Sequence, residues 1–242
     1  MTETNTSSLG TILGVWAHPD DETWLMGGLG AEAVRAGRRV VCVSATRGEE
    51  GVQDETRWPR AELPQIRTRE LEEALAIIGI TEHVWFDYPD GACMTASEEE
   101  AVRRVAALIE EIQPDTVLTF GPDGMTGHAD HQAVSGWTTE AFRRSGKKGA
   151  RLLYATITPE WVDRFREGFQ KLGAMMTDDD VPPSTPESDL ELRYMVPPDL
   201  MDLKFRALAA QASQTASTIE ILGEAWLREE MQLEAYRLGH VA

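Results

Sequence analysis

The sequence predicts an α/β fold of the Rossmann-like kind, a three-layer α/β/α sandwich around a mainly parallel sheet. Short apolar runs alternate with segments of helical periodicity from residue 11 to about 158, which is typical of a sheet covered by helices on both faces. Two long polar connections follow predicted strands, as functional loops at the carboxyl edge of such a sheet do. With 242 residues, the chain is long enough to bury a substantial core.

The strands are predicted from apolar, β-branched runs that are too short for helices. They are Thr11 to Trp16, Arg39 to Ser44, His83 to Phe86, Thr116 to Phe120, Leu152 to Thr158 and, later, Leu190 to Val196. The helices are Thr23 to Ala36, Ile66 to Ile78, Glu98 to Ile112, Asp130 to Arg144, about Asp199 to Ala212, and Thr218 to Leu238. Gly37 and Gly79 are expected to end two helices, and Ser97 with Glu100 is a capping box.

We expect one domain over residues 1–242, with a core at 11–158 and a flap and C-terminal helices at 159–242. The acidic, proline-rich stretch from Thr177 to Asp189 is typical of a mobile flap. The long connections from Thr46 to Gln65 and from Asp87 to Thr95 would reach the same rim of the sheet. We expect these three segments to determine substrate selectivity.

Composition excludes several classes of partner. The net charge of −18 disfavours nucleic acid and anionic membranes, and no apolar run approaches the roughly 20 residues of a membrane span. Two cysteines, Cys42 and Cys93, and a polar start without a secretory signal favour a cytoplasmic location. Composition does not set the oligomeric state, and a homo-oligomer stays open.

Histidines and carboxylates follow two of the predicted strands. Ala17-His18-Pro19-Asp20-Asp21-Glu22 comes after the first strand, and Gly127-His128-Ala129-Asp130-His131 comes after the fourth. These segments hold three of the five histidines, and His with carboxylate is the ligand set of hydrolytic zinc sites. Asp20 and Asp21 should point in different directions, so that one binds metal and the other faces water. The sequence therefore predicts a metal site, for zinc or another divalent ion.

These two motifs resemble those of the LmbE-like / PIG-L superfamily of zinc de-N-acetylases. The resemblance extends through Thr46-Arg47-Gly48-Glu49-Glu50-Gly51, Arg67-Thr68-Arg69-Glu70-Leu71 and Asp90-Gly91, and so covers about residues 11 to 140. A late segment, Lys204 to Gln214, is also similar, although Gln211 stands where many members have histidine. The resemblance implies an LmbE-like fold and an enzyme that removes acetyl groups from N-acetylglucosamine-containing compounds.

The same resemblance implies a role for each motif residue. His18, Asp21 and His131 would bind one zinc ion, Asp20 would be the general base and His128 the acid and electrostatic partner. Asp130 would hold His128. Arg67 and Asp90 would contact the substrate, a small N-acetylated sugar or conjugate.

Other interpretations are weaker. Gly28-x-Gly30-x-x-Ala33 has the letters of a dinucleotide fingerprint, but it lies inside a predicted helix instead of the turn after the strand. A non-catalytic metal-containing binding domain and an amidase of a glucosamine-based thiol conjugate stay open. We expect structural roles for His83 and His240, and a substrate contact for Trp58 is worth testing.

Overall fold

The strands follow the prediction closely through the first two thirds of the chain. The computed structural model describes residues 6–173, 175–179 and 181–239. Its strands are β1 (Ile12–Trp16), β2 (Val40–Ser44), β3 (Glu82–Trp85), β4 (Thr116–Phe120), β5 (Arg151–Thr156), β6 (Leu192–Met195) and β7 (Leu233–Leu238). They form one sheet in the order β3-β2-β1-β4-β5-β7-β6. The first five strands are parallel, whereas β7 is antiparallel to both of its neighbours.

The helices cover both faces of this sheet, as the sequence predicts. They are α1 (Asp21–Arg35), α2 (Leu63–Ile78), α3 (Glu98–Ile112), the short α4 (Gly124–Gly127), α5 (Ala129–Ser145), α6 (Pro159–Leu172), α7 (Pro198–Ala210), α8 (Ala212–Leu222) and α9 (Glu224–Glu230). α1, α2 and α7 pack together in one layer, and α3 packs against α5 in the other. Among the described helices, none has the length and apolar character needed to span a bilayer.

The central strands are buried along their whole length. Every residue of β1, β2 and β4 is buried, because helices lie on both sides of a parallel sheet. The edge strand β3 is only partly covered. The predicted helix ends are also confirmed: the Ser97 hydroxyl accepts a hydrogen bond from Glu100 N–H, and Gly79 ends α2 with a left-handed φ of 92°.

The prediction of one helix from Thr218 to Leu238 is wrong. Gly223 separates α8 from α9, and the chain then turns into β7. In this strand Glu234 and Tyr236 are buried, and Glu234 accepts hydrogen bonds from the backbone N–H groups of Gly28 and Leu29 in α1. Tertiary contacts therefore determine the conformation of this segment, which its own helix-forming residues do not reveal.

The glycines of the apparent dinucleotide fingerprint serve packing. Gly28 and Gly30 lie inside α1, where a side chain on Gly28 would collide with Val196 and one on Gly30 would press against Ile80. Small residues thus let α1 approach the C-terminal part of the chain closely. The N–H groups of Gly28 and Leu29 are bonded to Glu234, so these donors are already satisfied.

The stretch predicted as a flap, Thr177 to Asp189, and the residue before it are bonded to the rim of the sheet at two places. Met176 N–H donates to Thr126 O, and Thr185 N–H donates to Ile157 O. Thr177 lies so close to Gly127 that a Cβ at this glycine would be 2.3 Å from its methyl group. The flap segment therefore contacts the loop that leads to His128.

Candidate metal centre and active site

The two histidine segments meet because of the strand order. β1 and β4 are neighbours in the sheet, at the point where the order of the strands reverses. In open α/β sheets the crevice outside the carboxyl ends at this point is the usual site of ligand binding. The turn after β1 carries His18 to Asp21 into α1, and the segment after β4 carries His128 and His131 into α5.

Three donor groups converge in this crevice. His18 Nδ1 is 3.1 Å from His131 Nε2. Asp21 Oδ2 is 3.6 Å from His18 Nδ1, and Asp21 Oδ1 is 3.4 Å from His131 Nε2. Ligands bound tetrahedrally to zinc at about 2.1 Å are separated from one another by roughly 3.4 Å. The distances among His18, Asp21 and His131 are close to this value, with Asp21 meeting the two histidines through different oxygens. His128 belongs to the same cluster, because one ring nitrogen from each of His18, His128 and His131 lies within 4.8 Å of the others.

Contacts with neighbouring residues hold the side chains of His131 and Asp21 in place. His131 Nδ1 is 3.0 Å from Gly124 O, and its ring stacks on Phe120 with centroids 4.0 Å apart. Asp21 Oδ2 accepts the backbone N–H of His18 at 2.7 Å. A carbonyl behind a histidine ligand orients the other ring nitrogen toward the metal.

A second group of carboxylates lies on the opposite side of the His18 ring. His18 Nε2 is 3.1 Å from Asp90 Oδ1 and 3.4 Å from Asp130 Oδ2. Both carboxylates are already occupied, since Asp130 accepts the N–H groups of Gly91 and Cys93, and Asp90 accepts that of Glu50. This group is suited to orient His18 through Nε2, while Nδ1 on the other edge of the ring is left for a metal.

The charges of the buried side chains also fit a cation here. Burial opposes protonation of His18, yet Asp130, Asp21 and Asp90 raise its pKa well above the ordinary value. Burial would raise the pKa of Asp21, but His131 and His18 hold it below the usual range. Buried carboxylates need a compensating positive charge, which a divalent ion supplies.

Asp130 does not hold His128 through its carboxylate, in contrast to the expectation. The carboxylate is turned toward the 91–93 loop and His18, whereas the backbone N–H of Asp130 donates to His128 Nδ1 at 3.1 Å. An Nδ1 that accepts a hydrogen bond leaves the ring proton on Nε2. Burial and the charge on His18 lower the pKa of His128, which also favours the neutral ring.

Asp20 has an unusual backbone conformation. Its φ of 127° and ψ of −31° are rarely adopted by a residue with a side chain, and such outliers cost on the order of 1–3 kcal/mol. Its N–H donates to Glu22 Oε2, and its carbonyl accepts the N–H groups of Thr23 and Trp24. The side chain is 20% exposed, and burial raises its pKa to about 7.

Arg67 and Asp90, expected to contact the substrate, are buried side chains with protein partners beside the donor cluster. The Arg67 side chain is 4% exposed; its guanidinium donates to Gly48 O and Pro19 O and lies 3.5 Å from Asp20. Asp90 is 6% exposed and faces His18. Both side chains therefore contact residues of the two motifs, Arg67 through Asp20 and Asp90 through His18.

No role was predicted for Glu22, which lies in the site behind Asp20. Its buried carboxylate accepts Asp20 N–H, the Thr23 hydroxyl and the side-chain amide of Gln211. Its position inside the first motif was the feature of the sequence that could have indicated a role. Of the remaining singled-out residues, His83 bonds Ser44 Oγ at 3.0 Å, Trp58 lies under the Arg57 guanidinium, and His240 is outside the described residues.

Comparison with known proteins agrees with this architecture. The family model described as GlcNAc-PI de-N-acetylase, PIG-L, matches residues 13–142. A 1D-myo-inositol 2-acetamido-2-deoxy-alpha-D-glucopyranoside deacetylase of Saccharomonospora viridis is 31% identical over 235 residues, covering 84% of each chain.

Two solved structures share the fold. The N,N'-diacetylchitobiose deacetylase of Pyrococcus horikoshii has a TM-score of 0.65 at 20% identity and covers 95% of this chain and 83% of its own. GalB, the 4-carboxy-2-hydroxymuconate hydratase of Pseudomonas putida KT2440, has a TM-score of 0.60 at 17% identity and covers 96% of each chain. One fold thus carries deacetylases and a hydratase, so the fold alone does not decide the reaction.

A Rossmann-like sheet with a His/Asp donor cluster at its carboxyl rim defines the class of this protein, an enzyme with a candidate metal centre. Sequence similarity is more specific than the fold. The chain belongs to the GlcNAc-PI de-N-acetylase (PIG-L, LmbE-like) family and is accordingly a hydrolase of the deacetylase class.

Proposed function

We propose that the protein hydrolyses the N-acetyl group of a small N-acetylglucosamine-containing molecule and releases acetate and a free amine. The observation that carries the proposal is the cluster of His18, Asp21 and His131, with donor atoms 3.1–3.6 Å apart and with Asp20 and His128 beside it. The similarity to sugar deacetylases supports the acetyl group and the sugar.

His18, Asp21 and His131 would hold one zinc ion per chain. Zinc in such a site polarises a carbonyl and lowers the pKa of water from about 15.7 to about 7. Their imidazole and carboxylate donors also accept other divalent ions. We place the protein in the cytoplasm, in agreement with two buried free cysteines.

Asp20 is suited to accept and return a proton. It takes a proton from the attacking water while the water oxygen bonds to the acetyl carbon. As the C–N bond breaks, the same proton passes to the leaving nitrogen, which leaves as an amine.

His128 is suited to stabilise the oxygen that becomes negatively charged. The Asp130 N–H occupies Nδ1, so the Nε2–H group is the hydrogen-bond donor of the ring. A role as proton donor to the amine requires a second ring proton, which this N–H opposes. We therefore propose electrostatic stabilisation as the main contribution of His128.

The test combines metal analysis with a screen for acetate and amine release across N-acetylglucosamine derivatives. We expect about one divalent ion per chain, loss of turnover with a chelator and its recovery with zinc. His131→Ala should lose the ion and turnover, Asp20→Asn should keep the ion and lose turnover, and Arg60→Met, an exposed residue, should change neither.

Each alternative has its own outcome in this screen. Release of an amino acid in place of acetate would identify an amidase of a glucosamine-based thiol conjugate. Metal-loaded protein that releases nothing from any of these compounds would support a binding domain. Purified protein that binds no divalent ion would refute the proposal.

A further inference from the structure

Two buried polar side chains that the proposed mechanism does not use lie directly behind Asp20. The carboxylate of Glu22 is fully buried, and Oε2 accepts the Asp20 N–H at 3.0 Å. Its other oxygen, Oε1, accepts the Thr23 hydroxyl at 2.7 Å and Gln211 Nε2 at 2.8 Å. Gln211 is 1% exposed and comes from a part of the sequence 189 residues away.

Gln211 is itself held firmly. It is the residue between α7 and α8, its N–H donates to Leu208 O, and its carbonyl accepts the N–H groups of Gln214 and Thr215. The Thr215 hydroxyl donates to the same carbonyl. The backbone of Gln211 is therefore fixed, and from it the side-chain Nε2 donates to Glu22, while the buried Oε1 has no hydrogen-bond partner among the described residues.

Asp20 needs such support because its backbone is strained. At φ 127° the residue would relax unless its neighbours held it, and its only backbone donor is the N–H that Glu22 accepts. Because the Glu22 carboxylate accepts hydrogen bonds from both Asp20 and Gln211, the position of the α7–α8 junction affects the position of Asp20, the proposed general base. Displacements of about 1 Å in a reacting group commonly cost up to about 100-fold in rate.

We infer that Gln211 is a positioning residue, which orients Glu22 and thereby keeps Asp20 in its catalytic conformation. The inference rests on the proposed function. It assigns to the C-terminal segment a part in the reaction that is separate from its part in the sheet.

Gln211→Leu removes the donor at similar size. We expect it to keep its metal and its KM within about twofold, and to lose kcat by at least about tenfold. Ser213→Ala is the matched control, because it removes the hydrogen bond from Ser213 Oγ to Glu70 in the same turn without touching Glu22. The free energy of unfolding of Ser213→Ala should fall by about as much as that of Gln211→Leu, while its kcat should stay at the wild-type value.

A charge exchange separates positioning from general loss of structure. Gln211→Glu places two carboxylates against each other and should lower kcat at least as much as Gln211→Leu. Adding Glu22→Gln restores a donor–acceptor pair, so the double variant should recover most of the lost kcat. Absence of recovery, or a kcat of Gln211→Leu within twofold of the wild type, would overturn the inference.

A crystal structure of Gln211→Leu decides the inference independently of turnover. If the wild type releases acetate from no substrate, the proposed function fails, and the φ of Asp20 in the variant becomes the test. Relaxation of this φ to a negative value supports the positioning role. An Asp20 that keeps a φ near 127° refutes it.

Discussion

Replacement of Arg67 by methionine tests whether this residue contacts the substrate or positions the site. The guanidinium donates to the carbonyl oxygens of Gly48 and Pro19, and both bonds are buried. Each charge-assisted hydrogen bond contributes about 1.5–3 kcal/mol, so the loss of both should lower the free energy of unfolding by about 3–6 kcal/mol. The variant also loses the cation 3.5 Å from Asp20.

Because Arg67 acts through Asp20, we expect kcat to fall about 10- to 100-fold while KM stays within about twofold. Steady-state acetate release and urea unfolding measure the two effects. Arg67→Lys keeps the charge but loses the planar guanidinium that donates to two carbonyls at once. It provides a milder variant if Arg67→Met does not fold. Arg60→Met, which removes an exposed ion pair with Glu50, should change stability by less than about 1 kcal/mol. A KM that rises tenfold at unchanged kcat would show that Arg67 binds substrate.

Three further predictions follow from the site and the core. His128→Ala should keep its metal and lose about 100- to 1,000-fold in kcat, measured by acetate release; near-normal turnover would remove its role. Burial lowers the pKa of His83 to about 4, so the unfolded chain takes up a proton before the folded one, and stability is lost as the pH falls below about 6.5. Between pH 7.5 and pH 5, the free energy of unfolding measured with urea should therefore fall by about 2 kcal/mol less in His83→Gln than in the wild type. Equal decreases in the two proteins would contradict this. Glu234→Gln leaves Lys204 charged in the core and should lower the free energy of unfolding by about 3–5 kcal/mol, whereas a loss below 1 kcal/mol would mean that Lys204 finds another partner.

The sequence predicted the parallel part of the fold because that part is locally encoded. Val40 to Ser44 and Thr116 to Phe120 are apolar, β-branched runs with no competing helical pattern. The segment from Leu233 to Leu238 could not be predicted in this way. Its residues become a strand because β5 offers a free edge and because Glu234 bonds α1, and both causes lie far away in sequence.

The residues of the donor cluster could be predicted from the sequence, but the contacts that support them could not. His18, Asp21 and His131 follow strands that had been located, so their convergence follows from the strand order. The orientation of Asp130 depends on where the loop at Gly91 folds back, which no local pattern encodes. Likewise the motif does not show that Arg67 turns inward, because its partners are backbone carbonyls available in any sequence.

The insertion of β7 between β5 and β6 has a consequence for how the protein is made. During synthesis β5 is complete more than 70 residues before its neighbour exists, so its edge stays unpaired while the ribosome elongates. The N–H groups of Gly28 and Leu29 likewise stay without their acceptor until Glu234 is translated, more than 200 residues later. Folding of this sheet can therefore finish only after β7 has left the exit tunnel, and ribosomes stalled before that point should display an aggregation-prone, chaperone-binding intermediate.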